Sequence, residues 1–299
     1  GDSLFYDRNR GFGEAFGAVE LLDTAGRNML TGEYCHYNQL TGYAFATDKA
    51  MAVDFSQGDS LFIHADTLQL FTFHMGTDSV SREARAFHKV RIYRADVQGV
   101  CDSLVFASKD SCLTMYRDPI LWNDNQQLLG EEILVYMNDS TIDRAHIRNQ
   151  ALSVERIDSA CYNQVAGKDM EAFFKDGEME RIDVTGSVRV VYYPMEKDST
   201  LIGMNVSETS QLTIYLKNRK LKRMVMSPQS SGTLYPMSLI PEKKRKLENF
   251  AWFDYIRPIS KEDIFNWRGK QAGQELKKSV RGAAPLPNRN LFENNRKEK

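Results

Sequence analysis

The sequence predicts an all-β protein, because one short pattern restarts throughout residues 1–226. Each copy begins with a Gly or Asp-Ser turn signal and continues with a run in which apolar and polar residues alternate. Alternation is typical of strands that have one face against a core and the other in water. No segment of this region has its apolar residues at the spacing of an amphipathic helix. We therefore expect an antiparallel stack of short strands, with helix confined to short segments after residue 258.

Asp-Ser dipeptides supply many of the predicted turns. Short Asp and Ser side chains bond to nearby backbone amides, which favours turns over sheet ladders. The dipeptides begin at Asp2, Asp59, Asp78, Asp102, Asp110, Asp139, Asp158 and Asp198. A small or apolar residue follows each Ser, and the triplet resembles an O-glycosylation acceptor used by one group of two-membraned bacteria. Modification of these turns is therefore a second hypothesis beside their role in the backbone.

The strand runs supply the candidate interior. A run at 95–105 stands apart because its apolar side, which includes Cys101 and Val105, is built largely from small residues. Stacked strands must close or cover their edges, and a stack folded on itself leaves an apolar groove between two walls. The residues expected to line that groove are Val90, Ile92, Ile133, Val135, Ile147, Val188, Val190, Leu212 and Ile214.

Three parts are predicted along the chain. Residues 1–249 form a continuous β body with room for two tandem lobes, and residues 250–267 form an aromatic segment that closes one end of the core. Ser260 and Asp263 resemble a capping box that starts a short helix there. Residues 268–299 form a flexible tail with nine Lys or Arg against three Glu. A nucleic-acid binder concentrates basic charge on its folded part, so we expect no nucleic-acid partner.

Composition limits the environment of the protein. The mean hydropathy is −0.47 and 26% of residues are charged, and no apolar run approaches the roughly 18 residues of a membrane-spanning helix. The chain lacks an initial Met, so we expect that a leading signal segment has been removed. The spacing of Cys35, Cys101, Cys112 and Cys161 does not fit structural zinc, and it leaves disulfide pairing open.

Possible catalytic motifs give way to simpler explanations. Residues 58–61 spell the signature of GDSL esterases, and Asp143 and His146 have the D-x-x-H spacing of that family. The same four letters recur at residues 1–4, and both copies lead into strands, whereas such a nucleophile needs a strand-to-helix turn. The five histidines never fall at metal-ligand spacing. We therefore expect a protein that is not an enzyme and has no metal or cofactor.

Several segments resemble a known family. They are Leu-Thr-Gly-Glu at 30–33, Gln-Leu-Thr-Gly at 39–42, the run from Asp118 to Ile133, and Asn-Gln-Val-Ala-Gly-Lys-Asp-Met at 163–170. Gly17 and Gly186 also begin the family's Gly-Asn-Val step, with its Asn replaced. Residues 1–267 together resemble the OstA-like family, the periplasmic lipopolysaccharide-transport proteins typified by LptA and the N-terminal domain of LptD. The resemblance implies a twisted, V-shaped, solenoid-like β-jellyroll.

The resemblance also implies a function. It predicts a non-enzymatic periplasmic carrier or bridge, with or without membrane association, that shields the acyl chains of lipopolysaccharide or lipid A in its groove. Its partners would be other lipopolysaccharide-transport components or further copies of itself, joined end to end by strand pairing. One alternative is a β-solenoid module for glycan binding or adhesion, which would expose aromatic side chains such as Tyr93 and Tyr215. Another is a hydrolase built on Ser60.

Overall fold

The all-β prediction is confirmed. The computed structural model describes residues 1–276 except 25–26, 57, 139–140, 177 and 219. Its elements are 21 strands and four short 3-10 turns, and no helix in the described part is long and apolar enough to cross a membrane. The strands are β1 Ser3–Asp7, β2 Phe12–Asp23, β3 Asn28–Asn38, β4 Tyr43–Thr47, β5 Met51–Asp54, β6 Leu61–His64, β7 Thr67–Phe73, β8 Ser81–Tyr93, β9 Val97–Ala107, β10 Cys112–Tyr116, β11 Ile120–Asn123, β12 Gln126–Leu129, β13 Glu132–Asn138, β14 Thr141–Arg148, β15 Ala151–Arg156, β16 Tyr162–Gly167, β17 Asp169–Lys175, β18 Glu178–Tyr192, β19 Gly203–Lys217, β20 Lys220–Ser227 and β21 Ser231–Pro236.

One antiparallel sheet folds along a corner into two walls, which gives a jellyroll-like stack. The long strands β2, β3, β8, β9, β18 and β19 pass through the corner and belong to both walls. Wall A also contains β1, β4, β7, β10, β13, β14, β17 and β20. Wall B also contains β5, β6, β11, β12, β15, β16 and β21. Each wall therefore runs the length of the stack.

Backbone with positive φ forms the corner. The pairing register shifts between Phe16 and Val19, and again between Thr185 and Val188. At the second of these bulges Gly186 has φ +81° and Ser187 has φ +51°. A bulge of this kind bends a strand, and glycine adopts positive φ without steric cost. The glycines of the family-like Gly-x-Val steps therefore carry the bends, as their place in the sequence suggested.

The corner also explains why the prediction for residues 95–105 is partly wrong. Cys101 points into the space between the walls, but at the corner the alternation changes phase, so that Leu104 is the next interior residue. Val105, which we expected inside, is only partly buried. Period-two alternation therefore holds on each side of the corner but not across it.

The aromatic segment does not close an end of the core as expected. Residues 237–276, here called the strap, lie on the outer face of wall B and run back against the order of the strands. The strap packs first on β16, β18 and β19, then on β9, β11, β12 and β15, and finally on β6 and β8. It follows β21, which lies beyond the repeated pattern of residues 1–226 but within the predicted β body of residues 1–249.

Gln127 fastens the middle of the strap. Its side chain is fully buried on the outer face of wall B. Its Oε1 accepts hydrogen bonds from Trp122 Nε1 (3.1 Å) and from the Phe253 backbone N–H (2.8 Å), and its Nε2 donates to the Ala251 carbonyl (2.9 Å). One side-chain amide thus pairs with the strap as a neighbouring strand would.

Two further glutamines bind the strap on either side of this point. Gln164, also fully buried, donates to the Arg245 carbonyl and accepts from the Leu247 N–H, both at 2.8 Å. Gln98 accepts from the Arg257 guanidinium, with an Nε–Oε1 distance of 2.7 Å. Gln98, Gln127 and Gln164 occupy one cross-strand row, so the strap follows a straight track.

Residues 268–276, which we expected to belong to the flexible tail, are part of the strap. The Lys270 side chain packs over the Phe253 ring and bonds to Asp118 at 2.6 Å. Its burial lowers the pKa of Lys270, against the opposing effect of Asp118. Residues 277–299, which make up most of the predicted tail, lie outside the described residues.

The helical content also differs from expectation. The four 3-10 turns are Met237–Leu239, Glu242–Lys244, Asp254–Ile256 and Asp263–Phe265, and only the last lies after residue 258. There the expected cap forms, since Ser260 Oγ accepts a bond from the Asp263 N–H at 3.1 Å.

Most Asp-Ser pairs lie in turns, as expected. Asp158 Oδ1, for example, accepts backbone bonds from Ala160 and Cys161, both at 2.7 Å. Asp102 and Ser103 are an exception, because they lie within β9 where it passes the corner. Asp139 and Ser140 lie outside the described residues. Glycosylation of these sites stays a prediction.

Candidate functional site

The nine predicted groove residues all face the space between the two walls. Eight belong to one buried cluster, and Val135 packs against it while half-exposed. Wall A contributes Ile133, Val135, Ile147, Leu212 and Ile214, and wall B contributes Val90, Ile92, Val188 and Val190. The sequence pattern therefore identified a common interior. That these residues contact a lipid stays a prediction.

Along wall A, the exposure of the inward side chains increases from the corner towards the mouth of the groove. The mouth is the side of the groove farthest from the corner. Nearest the corner is a floor that is at most 2% exposed and comprises Met115, Ile133, Ile147, Met170, Val184 and Leu212. In the next inward row, Leu113 and Val135 are partly exposed, whereas the other four residues, which include Ile214, are at most 9% exposed. Because the floor is dry and exposure begins at Leu113 and Val135, this half of the interior is a groove with a packed floor.

Sequence reasoning missed the residues that line the open part of the groove. Leu113 on wall A and Leu121, Leu128 and Val165 on wall B are partly buried and pack against the interior cluster. Each lies at an inward position of its strand, so alternation could have identified them. Their strands are only four to six residues long, however, and such short runs give a weak periodic signal.

The lip of the groove on wall A is a repeated hairpin. The three hairpins are β13–β14, β17–β18 and β19–β20. In each, the first strand has near its end an aromatic residue followed by an apolar residue, and the second strand has near its start an apolar residue followed two positions later by an Arg. The bulge lies directly after the aromatic residue in all three. The inward apolar residues are Met137, Ile142, Phe174, Met179, Leu216 and Leu221. A shallow pocket of about 430 Å³ opens beside Met179 and Leu216, and charged and polar residues of the turns form the rest of its lining. The lip is therefore apolar over six adjacent strands.

In the other half of the interior, the buried side chains are smaller. Between β2 and β8 the fully buried positions are mostly alanines, including Ala46, Ala50 and Ala65. At the mouth, Arg82 of wall A lies 3.8 Å from Asp23 of wall B. This ion pair links the walls, so the more open part of the groove lies between β10 and β20.

Both ends of the stack present unpaired strand edges. Within the described residues, β1 pairs only with β2, and β20 and β21 pair only with β19. At the first end, Leu4 is 77% exposed although it occupies an inward position opposite Ala15. Such edges are ready to pair with another strand.

An aromatic patch covers the outer face of wall A near the first end. The patch consists of His36 and six aromatic rings, four of which contact the imidazole; the imidazole stacks on Phe45 with centroids 5.1 Å apart. Burial lowers the pKa of His36, while nearby Glu14 opposes this. The rings are Phe12, Phe16, Tyr34, Tyr43, Phe45 and Phe71. Of the two aromatic residues predicted outside, Tyr215 lies on this face of wall A and Tyr93 on the outer face of wall B.

The esterase-like residues lie in different walls. Ser60 precedes β6 in wall B, whereas His146 is on β14 in wall A, where its Nδ1 lies 3.6 Å from Glu171 Oε1. The four cysteines are free and buried, which answers the question of disulfides. Burial raises the pKa of the Cys35 thiol to about 11.

No protein-family description and no curated protein sequence matches this chain. Among solved structures, one match is the crystal structure of LptH, the LptA-homologous periplasmic component of the lipopolysaccharide transport device of Pseudomonas aeruginosa. The match has 12% sequence identity and a TM-score of 0.34, and it covers 44% of this chain and 94% of that chain. The likeness therefore extends over less than half of the present molecule.

Proposed function

We propose that this chain is a non-enzymatic periplasmic lipid carrier of the OstA-like kind, which shields lipopolysaccharide acyl chains between its two walls. The observation that supports this most directly is the graded interior of wall A, which is dry at the floor and apolar but accessible at Leu113, Val135 and the lip. Burying one methylene contributes about 0.8 kcal/mol, so even a partly inserted acyl chain binds without a charged pocket.

We also propose that the carrier forms a bridge by pairing end to end. The unpaired strand edges at both ends support this. Strand pairing with another copy, or with another transport component, extends both walls and the groove between them. A groove that continues from one molecule to the next suits a bridge. The same edges, left unpaired, carry a risk of aggregation.

Photo-crosslinking tests where the lipid lies. A photoreactive residue placed at Leu128 or Val135 should crosslink to lipopolysaccharide, because both positions face the accessible part of the groove. The same residue at Thr213 or Tyr215, on the outer face of wall A, should not. Equal labelling of both faces, or no labelling at all, would contradict the carrier. Thermal unfolding of each variant checks that the fold is retained.

The aromatic patch favours a second candidate function, glycan binding. Sugars stack on aromatic faces and bond to nearby polar groups, and here Tyr34 Oη donates to Glu14 Oε1 at 2.9 Å within the patch. Phe45→Ala and Tyr43→Ala should then weaken binding of soluble oligosaccharides by at least about tenfold, the scale of one lost aromatic contact and hydrogen bond. Tyr215→Ala, on the same face but outside the patch, is the matched control. Unchanged binding in all three variants would reject this candidate.

A further inference from the structure

The lip of the groove on wall B differs from that on wall A. Its inward row is polar across the strands that face the apolar hairpins. The residues of this row, here called the amide strip, are Gln126, Glu155, Asn163, Tyr192 and Asn205. Each lies two residues nearer the mouth than an inward residue of the same strand, such as Leu128, Val165 or Val190, and therefore points into the groove.

Hydrogen bonds within the strip use only some of its donors and acceptors. Gln126 Nε2 donates to Ser153 Oγ at 2.9 Å, and Asn163 Nδ2 donates to Glu155 Oε2 at 2.9 Å. Asn205 Oδ1 accepts from Ser207 Oγ. Among the described residues, Gln126 Oε1 and Asn205 Nδ2 have no hydrogen-bond partner. The strip therefore offers both an acceptor and a donor to a ligand at the mouth.

The charges of the strip restrict the kind of ligand. It contains one carboxylate, on Glu155, and no Lys or Arg. A phosphate group would meet like charge there without a cation to offset it. A hydroxyl group both donates and accepts hydrogen bonds, so it can use amide and carboxylate groups alike. The chemistry of the strip therefore fits hydroxyl-rich sugar rings better than phosphates.

We propose that the amide strip binds the sugar hydroxyls of a glycolipid headgroup, while the acyl chains of the same molecule lie along the apolar lip and floor of wall A. This inference rests on the proposed carrier function and assigns the two parts of the lipid to opposite walls. Headgroup recognition is thereby separated from acyl-chain capture. The strip then distinguishes a glycolipid from a simple fatty acid.

The test compares two ligands and two sites. The double variant Gln126→Met and Asn205→Leu removes the strip's free donor and acceptor at similar side-chain volume. Its matched control is Gln211→Met, at an exposed position on the outer face of wall A. Binding of lipid A, whose diglucosamine headgroup carries free hydroxyls as well as phosphates, and of palmitate is measured by displacement of a fluorescent fatty acid. Urea unfolding confirms that each variant is folded.

We expect the double variant to bind lipid A about tenfold more weakly, the effect of losing one or two net hydrogen bonds. Palmitate binding should stay the same, and the control should bind both lipids as the unchanged chain does. An equal loss for both lipids, or no loss for lipid A, would overturn the headgroup site while leaving the carrier in place. If the unchanged chain binds neither lipid, the carrier proposal itself fails, and this inference with it.

Discussion

Replacing Gln127 by Met should lower the free energy of unfolding by about 3 kcal/mol or more. The substitution keeps the volume of the side chain but leaves three groups without partners: the buried Trp122 Nε1–H and Phe253 N–H, and the partly buried Ala251 carbonyl. Each unsatisfied buried group costs about 1–3 kcal/mol. Urea unfolding measures the loss. We also expect the strap to become the first site of proteolytic cleavage, because its middle is no longer fastened to wall B.

A matched control separates this effect from the general loss of a glutamine. Gln69→Met changes a half-exposed residue on the outer face of wall A and should shift stability by less than about 0.5 kcal/mol. If the Gln127 and Gln69 variants were equally stable, the glutamine would not fasten the strap. Early cleavage outside residues 237–276 in the Gln127 variant would point to the same conclusion.

Gly186→Val should destabilise the protein by about 3 kcal/mol through a different mechanism. Gly186 has φ +81°, where a β-branched residue is strongly disfavoured. A Cβ at this position would also lie 2.6 Å from the Lys168 Cβ, which cannot swing away because it is next to the backbone. The Lys168 N–H bonds to the Gly186 carbonyl at 2.9 Å, so a shift would break a contact that closes the corner. The change is measured by thermal unfolding.

The neighbouring residue provides the opposite expectation. Ser187 has φ +51°, a conformation that Asn adopts more readily than Ser. Ser187→Asn should therefore leave stability unchanged or raise it by a few tenths of a kcal/mol. If Ser187→Asn is as stable as the unchanged chain while Gly186→Val is much less stable, the loss in Gly186→Val comes from its backbone conformation and not from the mere presence of a substitution at the corner. Similar losses in both variants would argue against that explanation.

The interior could be predicted from the sequence because alternation reports burial directly. Ile133, Ile147 and Leu212 all lie on the floor of the groove, as the pattern indicated. The corner was harder to predict, since a bulge adds residues and reverses the phase, so that Leu104 and not Val105 points inward. Where the chain bends, alternation along the sequence no longer predicts which residues point inward.

The strap was missed for another reason. Glutamine in a strand indicates a solvated face, and nothing in the sequence shows that the amides of Gln127 and Gln164 serve as backbone partners. Trp122 was a signal that remained unused, because a large apolar residue at an outward position needs a cover. The aromatic residues near 250 were rightly seen as core-forming, but the face that they cover depends on tertiary contacts.

The path of the strap sets an order of events while the chain is being made. Neighbouring strands of the walls lie close in sequence and can pair once both have been synthesised, whereas Phe253 reaches Gln127 across 126 residues of sequence. Until then the outer face of wall B, with Ile120 and Trp122, has no cover. Exposed apolar surface of this kind makes an incomplete chain prone to aggregation. A nascent chain of this protein therefore needs protection on one outer face until its last segments are synthesised, even when its interior has already formed.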